Sequence, residues 1–270
     1  MGKTLYTAAF WVYLAATLCY LVHMIRECGA VGKTGTGLVG LGLALQAVAI
    51  VSRGAALGRI PFLNLYEYLL MFTFCAAAVY MVVERLARNR SFGAFAVPLI
   101  TLMVYFGMAL PGDAEPTVPA LRSAWRTPHI GTAILAYAAF ALAFCISFVY
   151  LVREKAGEAA SWASRLPKLE MIDKLNYRVI AFGFLMQTAM LITGSVWAQI
   201  AWGRYWSWDP KETFALITWL IYAAYLHTRT TMGWRGRRSA VLSLVGFVAV
   251  IFTLLGVNYL GGLHAYSGIK

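Results

Sequence analysis

Eight stretches of this chain are apolar over about 17–25 residues each, the length a helix needs to cross the hydrocarbon core of a bilayer. In lipid every backbone N–H and C=O must be paired within the segment, so such runs are helices. They fall at about 5–25, 35–53, 65–83, 92–110, 131–152, 176–197, 213–228 and 240–259. The predicted fold class is therefore all-α: a polytopic membrane protein of about eight transmembrane helices. Residues 1–270 read as a single integral membrane helical domain, with no room for a separate soluble one. Charged residues make up 13% of the chain, against about 25% in a soluble domain. The first run, Leu5 to Ile25, lacks the basic lead and small-residue cleavage site of a secretory signal, and reads as a retained span.

The net charge of +12 does not point to nucleic acid, because the Lys and Arg residues sit between the spans. They also set the orientation. The first, third, fifth and seventh connections carry Arg26 and Lys33; Arg85, Arg88 and Arg90; Arg153, Lys155, Arg165 and Lys168; and Arg229, Arg235, Arg237 and Arg238. The positive-inside rule places these in the cytoplasm. Both termini are then extracytoplasmic, with the loops at 54–64, 111–130 and 198–212. The loop from Pro111 to Ile130 is long and contains Pro111, Pro116, Pro119 and Pro128. The fifth connection is amphipathic around Ala160 to Leu169, a pattern that suits the cytoplasmic membrane surface.

Cys19, Cys28, Cys75 and Cys145 form no C-x-x-C pair, so the chain carries neither a dithiol redox motif nor a C-x-x-C-H heme-attachment motif. The chemistry concentrates in residues 198–212. Trp197 is followed by Trp202, Arg204, Tyr205, Trp206, Trp208 and then Asp209-Pro210-Lys211-Glu212. One or two tryptophans would be an interfacial belt. This density suits a large planar ligand held by stacking, with Arg204 and Lys211 available to its acidic groups. Asp209 as N-cap, Pro210 as first helical residue and Glu212 as third form a capping box, so Asp209 and Glu212 read as structural caps of the motif rather than as acid or base. No residue reads as catalytic.

The four histidines fall into two pairs by topology. His129 opens the fifth span and His264 follows the eighth, just after Gly261-Gly262, so both face the tryptophan loop's side. Heme iron accepts axial histidines, and a porphyrin between two imidazoles, edged by tryptophan, is the natural composite. Two unrelated interfacial histidines are the competing reading. His23 and His227 lie near the cytoplasmic ends of the first and seventh spans at similar depth. An ionisable group inside a span is a functional hypothesis by default. His227 is the stronger of the two, since His23 alone suits a hydrogen bond to a neighbouring helix.

The stretch from Trp202 to Glu212 resembles the tryptophan-rich WWD motif of the CcsA (ResC) family of cytochrome c assembly proteins. Trp219 to Arg229, Gly256-Val257-Asn258 with Gly262-Leu263-His264, and Pro61-Phe62-Leu63-Asn64-Leu65-Tyr66-Glu67 resemble further segments of that family. Pro210-Lys211-Glu212 favours CcsA over the related CcmC, and the size argues against the larger CcmF. The resemblance implies non-covalent heme b at one outer and one transmembrane site. His129 and His264 would be the outer axial ligands, and His227 an inner one, opposed by His23 or by a residue of a membrane partner, CcsB (ResB). It implies passage of heme across a bacterial inner or thylakoid membrane and presentation to apocytochrome c, within a cytochrome c synthase (heme lyase) complex. Two other classes fit less well. A heme exporter or chaperone would release heme without helping thioether formation. A bis-His electron carrier of the cytochrome b type would bridge embedded helices, whereas His129 and His264 sit at span edges.

Overall fold

The computed structural model describes residues 2–113, 123–157, 160, 162–260 and 262–263. It contains eight α-helices: α1 (Gly2–Arg26), α2 (Gly29–Leu57), α3 (Leu65–Ala87), α4 (Gly93–Ala109), α5 (Arg126–Ala156), α6 (Leu169–Trp202), α7 (Pro210–Thr231) and α8 (Arg237–Leu254). Each expected span falls on one of them, and there is no strand among the described residues. Six helices outrun their apolar windows because a helix continues past the hydrocarbon into polar surroundings, where hydropathy no longer marks it. The windows at 92–110 and 240–259 run past α4 and α8, the latter into a 3-10 turn at Gly256–Tyr259. Seven are long and apolar enough to cross a membrane. The exception is α7, which carries Lys211 and Glu212 at one end and His227 and Arg229 at the other. The protein is a polytopic all-α membrane protein. Its exposed side chains along the spans are apolar, as Trp11, Val51, Leu185 and Val248 illustrate.

The helices pack as two groups. In the first, α1 lies against α2 and α4, and α3 joins α4 and α2. Without a hydrophobic force between helices in lipid, close approach and polar bonds hold such a group. Tyr13 lies so close to Gly42 that a Cβ there would come within 2.7 Å of its ring. The Tyr13 hydroxyl donates to Gln46 Oε1 at 2.7 Å, and Gln46 Nε2 donates to Thr73 at 2.8 Å. In the second group, α5 is the centre, packed on α6 and α8 and reaching back to α3. Its small residues Ala136, Ala138, Ala139 and Ala143 are wholly buried. Phe140 of α5 stacks on Tyr222 of α7 with ring centroids 3.6 Å apart. Helix α7 itself packs on α6 and α8, away from α1.

Successive helices alternate in direction. The starts of α1, α3, α5 and α7 therefore share one end with the 203–209 loop, called here the tryptophan end. The fifth connection, amphipathic in sequence around Ala160 to Leu169, is fixed by contacts within the bundle. It forms a short 3-10 turn at Ala163–Arg165, with Ala163 and Leu166 buried. Arg165 reaches the last carbonyls of α1 at Met24 and Ile25 and pairs with Glu27 at 3.0 Å. Its backbone carbonyl accepts from Asn89 at 2.9 Å. A segment that satisfies another helix's terminal carbonyls is fixed by those bonds rather than by its own amphipathicity.

Candidate functional site

Helix α6 ends at Gly203, whose backbone is left-handed at φ 76° and whose N–H closes on Gln199. The chain then turns back through six residues into α7. The capping box read from the sequence is present. Asp209 Oδ1 accepts from Lys211 N at 2.9 Å, and Glu212 Oε2 accepts from Asp209 N at 3.3 Å. Glu212 does more than cap: the same oxygen takes the Ser207 N–H at 2.8 Å and the Ser207 hydroxyl at 3.1 Å. Asp209 also has a second function that the motif did not suggest. Its other oxygen, Oδ2, accepts from Leu263 N at 2.6 Å. Gly262 folds over that carboxylate at φ 132°, where a Cβ would overlap Oδ2. His264 lies outside the described residues, but the residue before it is clipped to the tryptophan loop.

The aromatic side chains of the loop are not all alike. Trp197 is buried, and Trp202 and Trp206 are half-buried. Tyr205 and Trp208 stand 61% and 69% exposed. Trp208 adopts φ 59°, a backbone conformation that costs a bulky residue of order 1–3 kcal/mol and clusters at functional sites. Its ring meets Trp206 edge to face at 5.8 Å. Trp206 keeps its Nε1 buried with no hydrogen-bond acceptor among the described residues. A buried indole N–H without an acceptor is uncommon in a finished core. A loop that holds one indole under strain in the open and another donor unsatisfied fits a surface that awaits a ligand. Arg204 is exposed at the loop tip, and Lys211 is half-buried at the start of α7.

His129 sits at the tryptophan end of α5, facing α6. Its Nδ1 lies 2.9 Å from the carbonyl of Met190. A carbonyl can only accept, so Nδ1 carries the proton and the lone pair is on Nε2. That is the tautomer of a metal-ligating imidazole oriented by a backbone carbonyl. The ring passes directly over Gly194, where a Cβ would come within 2.7 Å of it. On its flank lies Trp197, centroids 5.5 Å apart, and Trp197 continues to Trp202 at 5.9 Å.

The other two histidines are not brought together. His23 of α1 bonds through Nδ1 to the Cys28 carbonyl at 3.0 Å and lies over Gly32. It lines a cavity of about 250 Å³ with Glu27, Arg88, Asn89, Arg90, Ser91 and Arg165. His227 of α7 is exposed. Helices α1 and α7 belong to different packing groups and do not form a packed pair. Shared depth, which the loop charges fix, says nothing about lateral position. Just beyond His227, Arg229 holds Asp173 of α6 through two bonds of 2.8 and 2.6 Å, and Asp173 also accepts from Gly236 N at 3.0 Å. This buried pair locks the end of α7 that carries His227. Among the described residues no three His, Cys, Asp or Glu converge as a bare metal ion would require. An iron already held in a porphyrin needs only axial donors.

One cluster at the tryptophan end was missed. Asn64 caps α3 by accepting from Glu67 N at 2.9 Å. Glu67 is fully buried and ion-paired with both Arg53 and Arg59 at 2.8 Å. Arg53 also donates to the Gly112 carbonyl at 2.7 Å, tying α2 to the chain beyond α4. Pro61 to Glu67 was noticed as a motif, but its arginine partners stand outside it in sequence. An arginine near the end of an apolar span was the available signal.

A family model described as cytochrome C assembly protein matches residues 62–264. The cytochrome c biogenesis protein CcsA of Synechococcus elongatus is 34% identical, over 99% of this chain and 98% of its own length. The CcsA of Pyropia yezoensis is 36% identical over the same shares, and that of Parasynechococcus marenigrum 39% identical over 86% of this chain and 87% of its own. Among solved structures, a cytochrome c heme lyase, CcmF, superposes with a TM-score of 0.72. It is 16% identical and covers 95% of this chain but 46% of the larger protein, so the likeness is one of fold. The chain belongs to the cytochrome c assembly protein family, and the relatives it matches over most of their length include CcsA proteins.

Proposed function

We propose that this protein serves cytochrome c maturation by binding heme b non-covalently at the tryptophan end and presenting it to apocytochrome c. The observation that carries the reading is His129: an imidazole in the iron-ligating tautomer, flanked by Trp197, on which Trp202 packs in turn. The clip from Asp209 to Leu263 supports His264 as the opposing ligand, because it brings the adjoining residue to the same loop. Trp206, Trp208 and Tyr205 supply the porphyrin bed, and Arg204 and Lys211 the basic groups near its rim. The loop charges support an extracytoplasmic side for this end, and the reading takes the membrane as a bacterial inner or thylakoid one.

The second site is an inner one at His227. The separation of α1 from α7 favours a ligand from a membrane partner of the CcsB (ResB) type over His23. His23 then serves the cavity at its own end. In thioether formation each apocytochrome thiol adds across a heme vinyl group, sulfur to one carbon and hydrogen to the other. This chain's residues hold and orient heme and exclude water and oxidant. The nucleophiles are the apocytochrome thiols, and the reading takes the chain as a subunit of a cytochrome c synthase.

The experiment is replacement of the gene in cells that make cytochrome c. The reading expects apocytochrome to persist while covalent holocytochrome is lost, with restoration by the wild-type chain. Normal holocytochrome without the protein would refute it, and normal heme attachment with impaired electron flow would favour a bis-His carrier.

A further inference from the structure

A surplus of buried positive charge lies at the tryptophan end, and its focus is Arg126. This residue is 8% exposed, in the first turn of α5. Its Nε and Nη1 are buried and have no hydrogen-bond partner among the described residues. The carboxylate within its electrostatic reach is Glu67, and Arg59 is within reach as well. Glu67 is already saturated. Its two oxygens accept from Arg53 Nε and Nη2, from Arg59 Nη1 and Nη2, and from Leu63 N, at 2.7 to 3.2 Å. Arg53 and Arg59 thus share this carboxylate, and Arg126, more deeply buried than either, makes no bond to it. The start of α5 adds to the positive field. No acidic residue lies in its first turn, although its Arg126 and His129 N–H groups donate to the Ser123 and Trp125 carbonyls at 3.3 and 3.2 Å.

A buried, unbonded guanidinium is costly unless an anion completes it. Arginine presents a planar fork that matches a carboxylate through two parallel bonds. The position selects which carboxylate. Arg126 precedes His129 by three residues, so the two side chains are neighbours on the helix surface, about 4.5 Å apart along the axis. A porphyrin held at His129 would carry its carboxylates at the ring edge, where a neighbouring guanidinium could take them.

We propose that Arg126 is the anchor for a propionate carboxylate of the porphyrin held at His129, with the Arg53–Glu67–Arg59 cluster fixing the floor beneath it. This rests on the heme reading above and specifies how the porphyrin is turned within the site. Two buried donors without acceptors, Arg126 on α5 and Trp206 Nε1 on the loop, then belong to one purpose.

The test uses the purified full-length protein, stripped of heme and returned either iron protoporphyrin IX or its dimethyl ester, whose carboxylates are blocked. The wild type should bind the free acid about tenfold more tightly than the ester, as a charge-assisted bidentate pair warrants. Arg126→Gln should abolish that preference while leaving the melting temperature of the heme-free protein unchanged or higher, because it removes an uncompensated buried charge. A structural arginine would do the reverse: the variant would melt lower and keep the preference, and that result overturns the proposal. Equal binding of acid and ester by the wild type also overturns it. Binding of neither by the wild type would instead refute the heme reading. If Arg126→Gln fails to accumulate, Arg126→Lys carries the test: it keeps the charge without the fork, and a preference undiminished in that variant counts against the assignment.

Discussion

The two ends of the bundle use the same device on a histidine and surround it differently. His129 and His23 each lie over a glycine, each bonded through Nδ1 to a backbone carbonyl at 2.9 and 3.0 Å. Each ring is thereby held in the tautomer with its lone pair on Nε2. Around His129 stand tryptophans. Around His23 stand Arg88, Arg90 and Arg165 with Glu27. At that end Arg165 pairs with Glu27, Arg90 with Glu84 at 3.9 Å and Arg229 with Asp173, while Arg153 keeps a buried Nη1 without a hydrogen-bond partner among the described residues. At the tryptophan end Arg126 Nε and Nη1 and Trp206 Nε1 have no hydrogen-bond partner among the described residues, and Trp208 sits in a strained conformation in the open. Arginines and a carboxylate mark one end, and indoles the other. An oriented imidazole thus occurs at both ends, and what distinguishes His129 is the indole of Trp197 beside it.

The largest expected effect falls on the tryptophan end. His129→Ala should remove most outer-site heme absorbance from the purified protein, and added imidazole should restore part of it by taking the axial position. His23→Ala should leave that spectrum intact. Equal spectral losses in the two variants would erase the distinction between the ends.

Next in size is the lock at the opposite end. Asp173→Ala strands Arg229, which is itself largely buried. Breaking a buried ion pair by removing one partner costs about 3–5 kcal/mol. Thermal unfolding should register it as a large loss of stability, with porphyrin affinity per folded molecule at the tryptophan end unchanged. A fall in that affinity would mean that the two ends are coupled through α6 or α7.

The glycines give a finer comparison. A Cβ at Gly194 would come within 2.7 Å of the His129 ring, and one at Gly32 within 3.0 Å of His23. Gly194→Ala should therefore shift the heme spectrum while leaving the protein abundant, and Gly32→Ala should not. Absorption spectra of both variants check this directly.

How much of this was readable beforehand follows the range of the interactions. The eight spans were legible because apolar runs of bilayer length admit one solution. The capping box was legible because Asp209 and Glu212 act within three residues of one another. Arg126 passed unremarked since its neighbours Arg59 and Glu67 lie on another helix and loop. The Met190 carbonyl that orients His129 is 61 residues away. The clip between Asp209 and Leu263 spans 54 residues and uses a backbone N–H, which has no signature in sequence. His23 and His227 were grouped by depth alone, and packing put their helices in different groups. Helix α7 is the least apolar span because both of its ends carry charged or polar residues, Lys211 and Glu212 at one and His227 and Arg229 at the other, so its hydropathy understates it.

The smallest individual effects belong to the tryptophans, yet together they test the central claim. The measurement is heme per purified protein for Trp202→Ala, Trp206→Ala and Trp208→Ala, beside Trp11→Ala on the exposed face of α1 and Trp219→Ala, whose indole stacks on Phe184 and donates to Thr188. Each lost stacking face should cost about 1 kcal/mol of porphyrin affinity, by analogy with aromatic pairs. The account predicts that the three loop variants lose outer-site heme at normal protein abundance. It predicts that Trp11→Ala keeps both, and that Trp219→Ala loses heme only in step with protein. If all five lose heme in proportion to lost protein, the tryptophan loop is a structural element and the heme site lies elsewhere.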